Sequence, residues 1–363
     1  MPNLSGAPKL KQLILQRCIR LSKIHASLGN LKCLIRLDLN GCKCLESLPP
    51  KISLEALEIL DLVGCSRLKK FPEIVGNMSR LSKLCLSGTA IKDLSLSTEY
   101  LTGLIKLDLR NCKNLSRLSN DCCWLMSLKI LTLSGCTKLN ELPEDLGNIK
   151  GLEELDVSKT AITELPSSFV LLKNLKVLSL RGCEGLSFIS SNKLINFPLM
   201  QKRRVDPMGI LGHSLSNLWS LVELNLSYCN LQAIPDGLGC LSSLTHLDLG
   251  GNNFVCLPES ITRLSNMKSL GLYGCTHLRS LPDLPLNIGF INANNCTSLE
   301  ILPLRLEDGP YPFFYLHNCV KLINDEDYGD MLVTKLRHHI QFKVSLSLSL
   351  SLSLSLLLVR FQI

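Results

Sequence analysis

From residue 10 onward the chain repeats one figure of apolar and variable positions: apolar, two variable, apolar, one variable, apolar, two variable, then Cys, Thr or Asn. LIRLDLNGC at Leu34, LEILDLVGC at Leu57, LIKLDLRNC at Leu104 and LKILTLSGC at Leu128 show it in full. Further starts fall at Leu10, Leu81, Leu152, Leu175, Leu221, Leu244, Met267 and Ile288, giving twelve units spaced mostly 23 or 24 residues apart. The interval from Leu175 to Leu221 is 46, twice 23.

Two apolar residues separated by one variable residue point to the same side of a short strand. One coil cannot bury that side alone, so successive coils must stack, setting their strands side by side as a parallel ladder. This is a leucine-rich-repeat array. The expected fold is an α/β solenoid with a curved parallel sheet on its concave side and short helices or loops on its convex side. Leu-Pro steps such as Leu142-Pro143, Leu165-Pro166 and Leu257-Pro258 carry the chain onto the convex side, where proline needs no ladder donor.

At the ninth position of the figure stand Cys18, Cys42, Cys65, Cys112, Cys136, Cys183, Cys229, Cys275 and Cys296, with Thr89, Thr160 and Asn252 as counterparts. A small, weakly polar side chain suits a bend that turns inward, because it can bond nearby backbone groups away from water. A zinc site would need paired ligands a few residues apart. The close pairs Cys42/Cys44 and Cys122/Cys123 have no histidine pattern to complete them. The odd total of seventeen cysteines, with no secretory apolar stretch near Met1, predicts reduced thiols in the cytosol or nucleus.

The sequence offers little catalytic chemistry. It has no phosphate-cradling GxxxxGK[ST], no GxGxxG, no HExxH and no GxSxG, and a non-enzymatic role is expected with no cofactor and no metal. Asp38, Asp61, Asp108, Asp156 and Asp248 form a column at the outward position between inward leucines. Spread over separate coils, they read as a solvated face.

The net charge is +8, and residues 1 to 50 hold eight Lys and Arg against Asp38 and Glu46. Such a patch suits an acidic protein surface, nucleic acid or plain solvent. No aromatic interleaving or binding motif accompanies it, so no nucleic-acid partner is expected. Outward strand residues vary freely because packing does not constrain them. Arg36, Lys83, Lys106, Arg110, Arg181, Tyr273 and Phe290 are the candidate protein contacts on that face, arginine and aromatic side chains being frequent interface anchors.

The ordered set of repeats resembles the repeat region of plant TIR-type nucleotide-binding disease-resistance proteins. The residues that carry it are SGAPKLKQLILQRCIRLSKIHASLGNLKCLIRLDLNGCKCLESLP, the SGTAIKDL and SKTAITELP variants, and LSSLTHLDLGGNNFVCLPESITRLSNMKSLGLYGCTHLRSLPDLP. FFYLHNCVKL at 313 to 322 resembles the start of that family's post-repeat domain. The resemblance implies a module that senses a pathogen effector, directly or through a guarded host protein, and holds the nucleotide-binding switch off. The family's NAD-hydrolysing and ADP- or ATP-binding modules are not among the residues it covers, so neither activity is implied here. In the family the N-terminal coils face the nucleotide-binding module. Lys9, Lys11, Arg17, Arg20, Lys23 and Lys32, with Arg36, therefore become candidates for docking it. A free-standing repeat scaffold or adaptor without a receptor role is the alternative.

Three segments stand apart: the array is expected over 1–304, the opening of a post-repeat domain over 305–341 and a Ser-Leu tail over 342–363. Residues 187–216 interrupt the array, either as a degenerate coil with an excursion or as an insertion loop. The alternating tail suits a strand, or a simple dinucleotide repeat in the gene. It is short for a membrane helix, and no membrane partner is expected.

Overall fold

The computed structural model describes residues 2–186, 215, 217–303 and 312–323. Thirteen three-residue strands form one parallel sheet, starting with Gln12–Ile14, Arg36–Asp38 and Ile59–Asp61 and ending with Ser269–Gly271, Phe290–Asn292 and Phe313–Tyr315. The register follows the repeat: Leu37 sits opposite Leu60, and Leu131 opposite both Leu107 and Leu155. These central leucines, with the next apolar residue of each strand exit such as Leu39, Leu62 and Leu133, are buried in one continuous core. Burying each recovers roughly 1.5–3 kcal/mol, most of it offset by ordering the chain.

The convex side is made of short turns. Among the described residues seven 3-10 helices lie there, including Ser167–Leu171, Asp236–Cys240 and Glu259–Arg263. Pro166, Pro235 and Pro258 cap these three from extended backbone, as the Leu-Pro steps require. No described helix is long and apolar enough to cross a membrane.

Two features differ from the sequence expectations. Strand Val177–Ser179 pairs directly with Glu223–Asn225, and Cys229 Sγ reaches Leu180 O at 3.1 Å. No strand of the ladder stands between them, so the two coils are direct neighbours across the 46-residue interval. Leu186 and Leu215, on either side of the interval's middle, are both buried; residues 187–214 and 216, with Lys202, Arg203 and Arg204, lie outside the described residues. The ladder also takes in Phe313–Tyr315, in register with Phe290–Asn292, past the end of the recognisable leucine pattern. Residues 304–311 and everything beyond 323, including the tail, lie outside the description.

The bend cysteines are packed as their position predicts, with one exception. Cys42, Cys65, Cys112, Cys136, Cys183, Cys229, Cys275 and Cys296 are buried, and each thiol donates to a carbonyl of the preceding coil, for example Cys136 Sγ to Leu109 O at 3.1 Å. Cys319 continues the series beyond the repeat pattern, donating to Ala293 O at 3.0 Å. Cys18, in the first coil, is exposed. All seventeen cysteines are free.

Candidate protein-binding face

Strand geometry sorts the outward residues into columns. The first residue of each strand faces its counterpart in the next, so Arg36 is opposite Ile59, Lys83 opposite Lys106, and Phe290 opposite Phe313. The face is cationic around Lys83 and Lys106, acidic around Glu154 and Glu223, and aromatic at its C-terminal end. There Phe290 and Tyr315 approach with ring centroids 5.1 Å apart, and Tyr273, Phe290, Phe313 and Tyr315 all remain exposed. Exposed aromatic rings in a row are uncommon where they have no partner to cover them.

The aspartate column is not a solvated face. Asp38 and Asp108 are 0% and 2% exposed, and Asp61, Asp156 and Asp248 are half-buried. In each, Oδ1 accepts the backbone N–H two residues on: Asn40 at 3.2 Å, Val63 at 3.0 Å, Arg110 at 3.1 Å, Ser158 at 2.9 Å and Gly250 at 3.0 Å. Asn225 and Asn292 do the same for Ser227 and Asn294. The strand ends at this residue, and the short polar side chain serves the first amide of the bend.

That role decides which arginines are available. Arg36 Nη2 lies 2.8 Å from Asp38 Oδ2, and Gln16 Nε2 reaches the same oxygen at 2.7 Å. Arg110 grips Asp108 with Nη2 at 2.7 Å, and Thr132 Oγ1 adds a bond at 3.2 Å. Burial alone would raise both carboxyls, yet hydrogen bonds from the arginines and their neighbours hold Asp38 and Asp108 below the usual aspartate range. Arg181 occupies the same position in its coil as Arg110, but Ser179 stands where Asp108 does. Its guanidinium lies over the Tyr228 ring instead, 5.0 Å from the centroid. Tyr228 carries no pattern that singles it out in the sequence, since it falls at a bend where other coils place glycine.

The six basic candidates of the first coils, Lys9, Lys11, Arg17, Arg20, Lys23 and Lys32, are all exposed. Lys9 and Lys11 precede strand Gln12–Ile14, whereas Arg17 and Arg20 follow it, about 20 Å along the chain at full extension. Lys23 bridges to Ser47, and Lys32 pairs with Glu55 at 3.0 Å. Among the described residues no three His, Cys, Asp or Glu side chains are placed to hold a metal ion.

A parallel ladder of near-identical coils with a leucine core and a variable sheet face defines the class: the chain is a leucine-rich-repeat protein. Family models for a leucine-rich repeat region and a leucine rich repeat match residues 93–206 and 219–278. Among solved structures, an internalin (inlF) from Listeria monocytogenes superposes with a TM-score of 0.51 at 19% identity, covering 82% of this chain and 81% of that one. InlJ of the same organism, whose functional domain includes a cysteine ladder, gives 0.51 at 18% identity over 85% of this chain and 63% of its own. Both show the fold alone.

More particularly, the array is similar to plant disease-resistance proteins. It is 36% identical to TMV resistance protein N of Nicotiana glutinosa over 83% of this chain, and 38% identical to disease resistance-like protein DSC1 of Arabidopsis thaliana over 89%. The chain spans 25% of the length of each of these two relatives. The resemblance to the repeat region of TIR-type nucleotide-binding resistance proteins therefore holds over most of these residues.

Proposed function

We propose that this array is the protein-recognition module of a plant intracellular immune receptor. Its sheet face senses a pathogen effector or a guarded host protein, and its N-terminal coils restrain the receptor's nucleotide-binding module. The observation that carries the reading is the face itself: cations at Lys83 and Lys106, the uncompensated Arg181 and the aromatic row from Tyr273 to Tyr315 stand on a rigid ladder with no described partner covering them. The similarity to disease-resistance proteins supports the receptor context, and the free thiols suit a reducing compartment such as the cytosol.

The test is co-expression of the full chain in leaf tissue with a separately expressed nucleotide-binding module of a TIR-type resistance protein. The two should co-precipitate, and reversing charge at Lys9, Lys11, Arg17, Arg20 and Lys23 should abolish this. Unchanged co-precipitation removes the docking assignment. Absence of any association in the native chain favours a free-standing scaffold.

A further inference from the structure

We propose that the depression lined by Lys159, Arg181 and Tyr228 receives a carboxylate side chain from an acidic segment of a protein partner. This deepens the reading above, because it rests on the sheet side being a recognition surface.

Each coil places a residue with positive φ just before its bend Cys, Thr or Asn. Glycine fills seven of these places and asparagine three, as the left-handed region favours. Arg17 (φ 56), Lys159 (φ 55) and Tyr228 (φ 58) are bulky exceptions, and the last two flank the Gly182 bend on either side in the ladder. Both line one depression of about 460 Å³ together with Arg181 and Glu184. Backbone cost accepted at the bends on both sides of Gly182, where glycine or asparagine serves in most other coils, is a pattern found at binding sites.

The ring of Tyr228 is fitted into place. A Cβ on Gly251 would meet its Cδ1 and Cε1 at 2.4 Å, so the next coil leaves room for it. The ring in turn supports the guanidinium of Arg181, which fixes the cation while leaving N–H groups for a planar oxyanion.

Charge is unmatched here. Arg110 has Asp108; Arg181 has Ser179, whose hydroxyl is 2.7 Å from that of Ser158. Among the described residues no hydrogen bond or ion pair engages the side chain of Arg181 or Lys159, and Glu184 lies outside ion-pair distance of both. The acid nearest in the register is Asp156, opposite Ser179, whose Oδ1 is taken by the Ser158 backbone N–H and hydroxyl; Glu154 and Glu223 flank Val177, about 13 Å of extended chain from Arg181. The glutamates thus lie beyond the roughly 8 Å screening length at physiological salt, and Asp156 is engaged within its own bend. A carboxylate can take two parallel hydrogen bonds from Arg181 with Lys159 beside it.

The experiment uses the full chain labelled with 15N-arginine, with the Arg181 Nε–Hε signal assigned through Arg181→Lys. Acetyl-glutamate methylamide should shift that signal saturably in the millimolar range. Tyr228→Gly should weaken the titration about tenfold while leaving the melting temperature equal or higher, since glycine relaxes the bend. Tyr228→Asn, matching the residue at Asn111, serves if the glycine variant folds poorly. An unshifted Arg181 signal, full affinity in Tyr228→Gly, or tighter binding of inorganic phosphate than of the glutamate probe overturns the proposal. If the probe binds but Arg181→Gln leaves capture of every tested partner protein intact, the site stands and the recognition reading fails.

Discussion

Asn252 and Cys229 meet across two coils: Asn252 Oδ1 accepts the backbone N–H of Cys229 at 3.1 Å. The same oxygen accepts Leu231 N–H at 3.0 Å, and Nδ2 donates to Leu226 O at 2.9 Å and Leu249 O at 2.7 Å. Coil YCNL has one residue fewer between bend and leucine than coil GCSRL at 64 to 68. Here the shorter turn leaves two inward amides, and the carbonyl oxygen of Asn252 serves both. Asn252→Ala strands those donors inside the core and should cost about 2–4 kcal/mol in chemical denaturation. Asn252→Cys should fall between, because a thiol regains the bond to the preceding carbonyl but cannot accept twice.

The cysteine ladder makes a prediction about reactivity. Burial pushes the thiols of Cys65, Cys122, Cys123 and Cys229 up to about 12, whereas Cys18, Cys33, Cys240 and Cys256 are exposed. A thiol reagent at neutral pH should label these last four rapidly in the native chain and the buried ones only after unfolding. Mass mapping that finds Cys229 labelled as fast as Cys33 contradicts the packing.

Acid should loosen the face where aspartates are tied down. Asp38 and Asp108 have folded pKa values below the ordinary 3.8, so each contributes stability that is fully present above that value. The contribution is lost as pH falls through the depressed folded pKa. Asp108→Asn should flatten the denaturation midpoint between pH 5 and 2 relative to the unmodified chain. An identical acid profile in the variant refutes the assignment.

The long interval between Leu175 and Leu221 should tolerate shortening. Because Val177–Ser179 already pairs with Glu223–Asn225, deleting the 23 residues 189–211 brings the 46-residue interval back to 23. The deletion variant should keep its strand signal in circular dichroism and its cooperative melting. Loss of both means that those residues hold the two halves together.

Much of this was legible in the sequence, for reasons specific to each feature. Period-two alternation in a three-residue strand assigns Leu131 inward and Ile130 outward without ambiguity, and the recovered register agrees at every strand. The aspartate column was misread because alternation reports only direction; it cannot show that the strand stops at Asp108 and that the next amide turns back onto it. Counting residues from Leu175 to Leu221 gives two repeat lengths without saying which strands meet, because adjacency is set by hydrogen bonds across space. Phe313–Tyr315 was hidden because phenylalanine and tyrosine replace the leucines that mark a strand elsewhere. The Arg181 and Tyr228 stack joins residues 47 apart, a contact made by neighbouring strands of the ladder that the sequence separation conceals.

Hydrogen exchange on the intact chain tests the central claim, a ladder of stacked coils, most directly. Amides such as Gly64 N, bonded to Ser87 O at 2.7 Å, Gly88 N to Arg110 O at 2.7 Å and Gly182 N to Ser227 O at 2.8 Å recur once per coil. Protection should therefore appear as short bands at 83–88, 106–111, 130–135, 154–159 and 177–182, then next at 223–228. Long unbroken protected blocks typical of helices, or protection at 177–182 without any at 223–228, would contradict it.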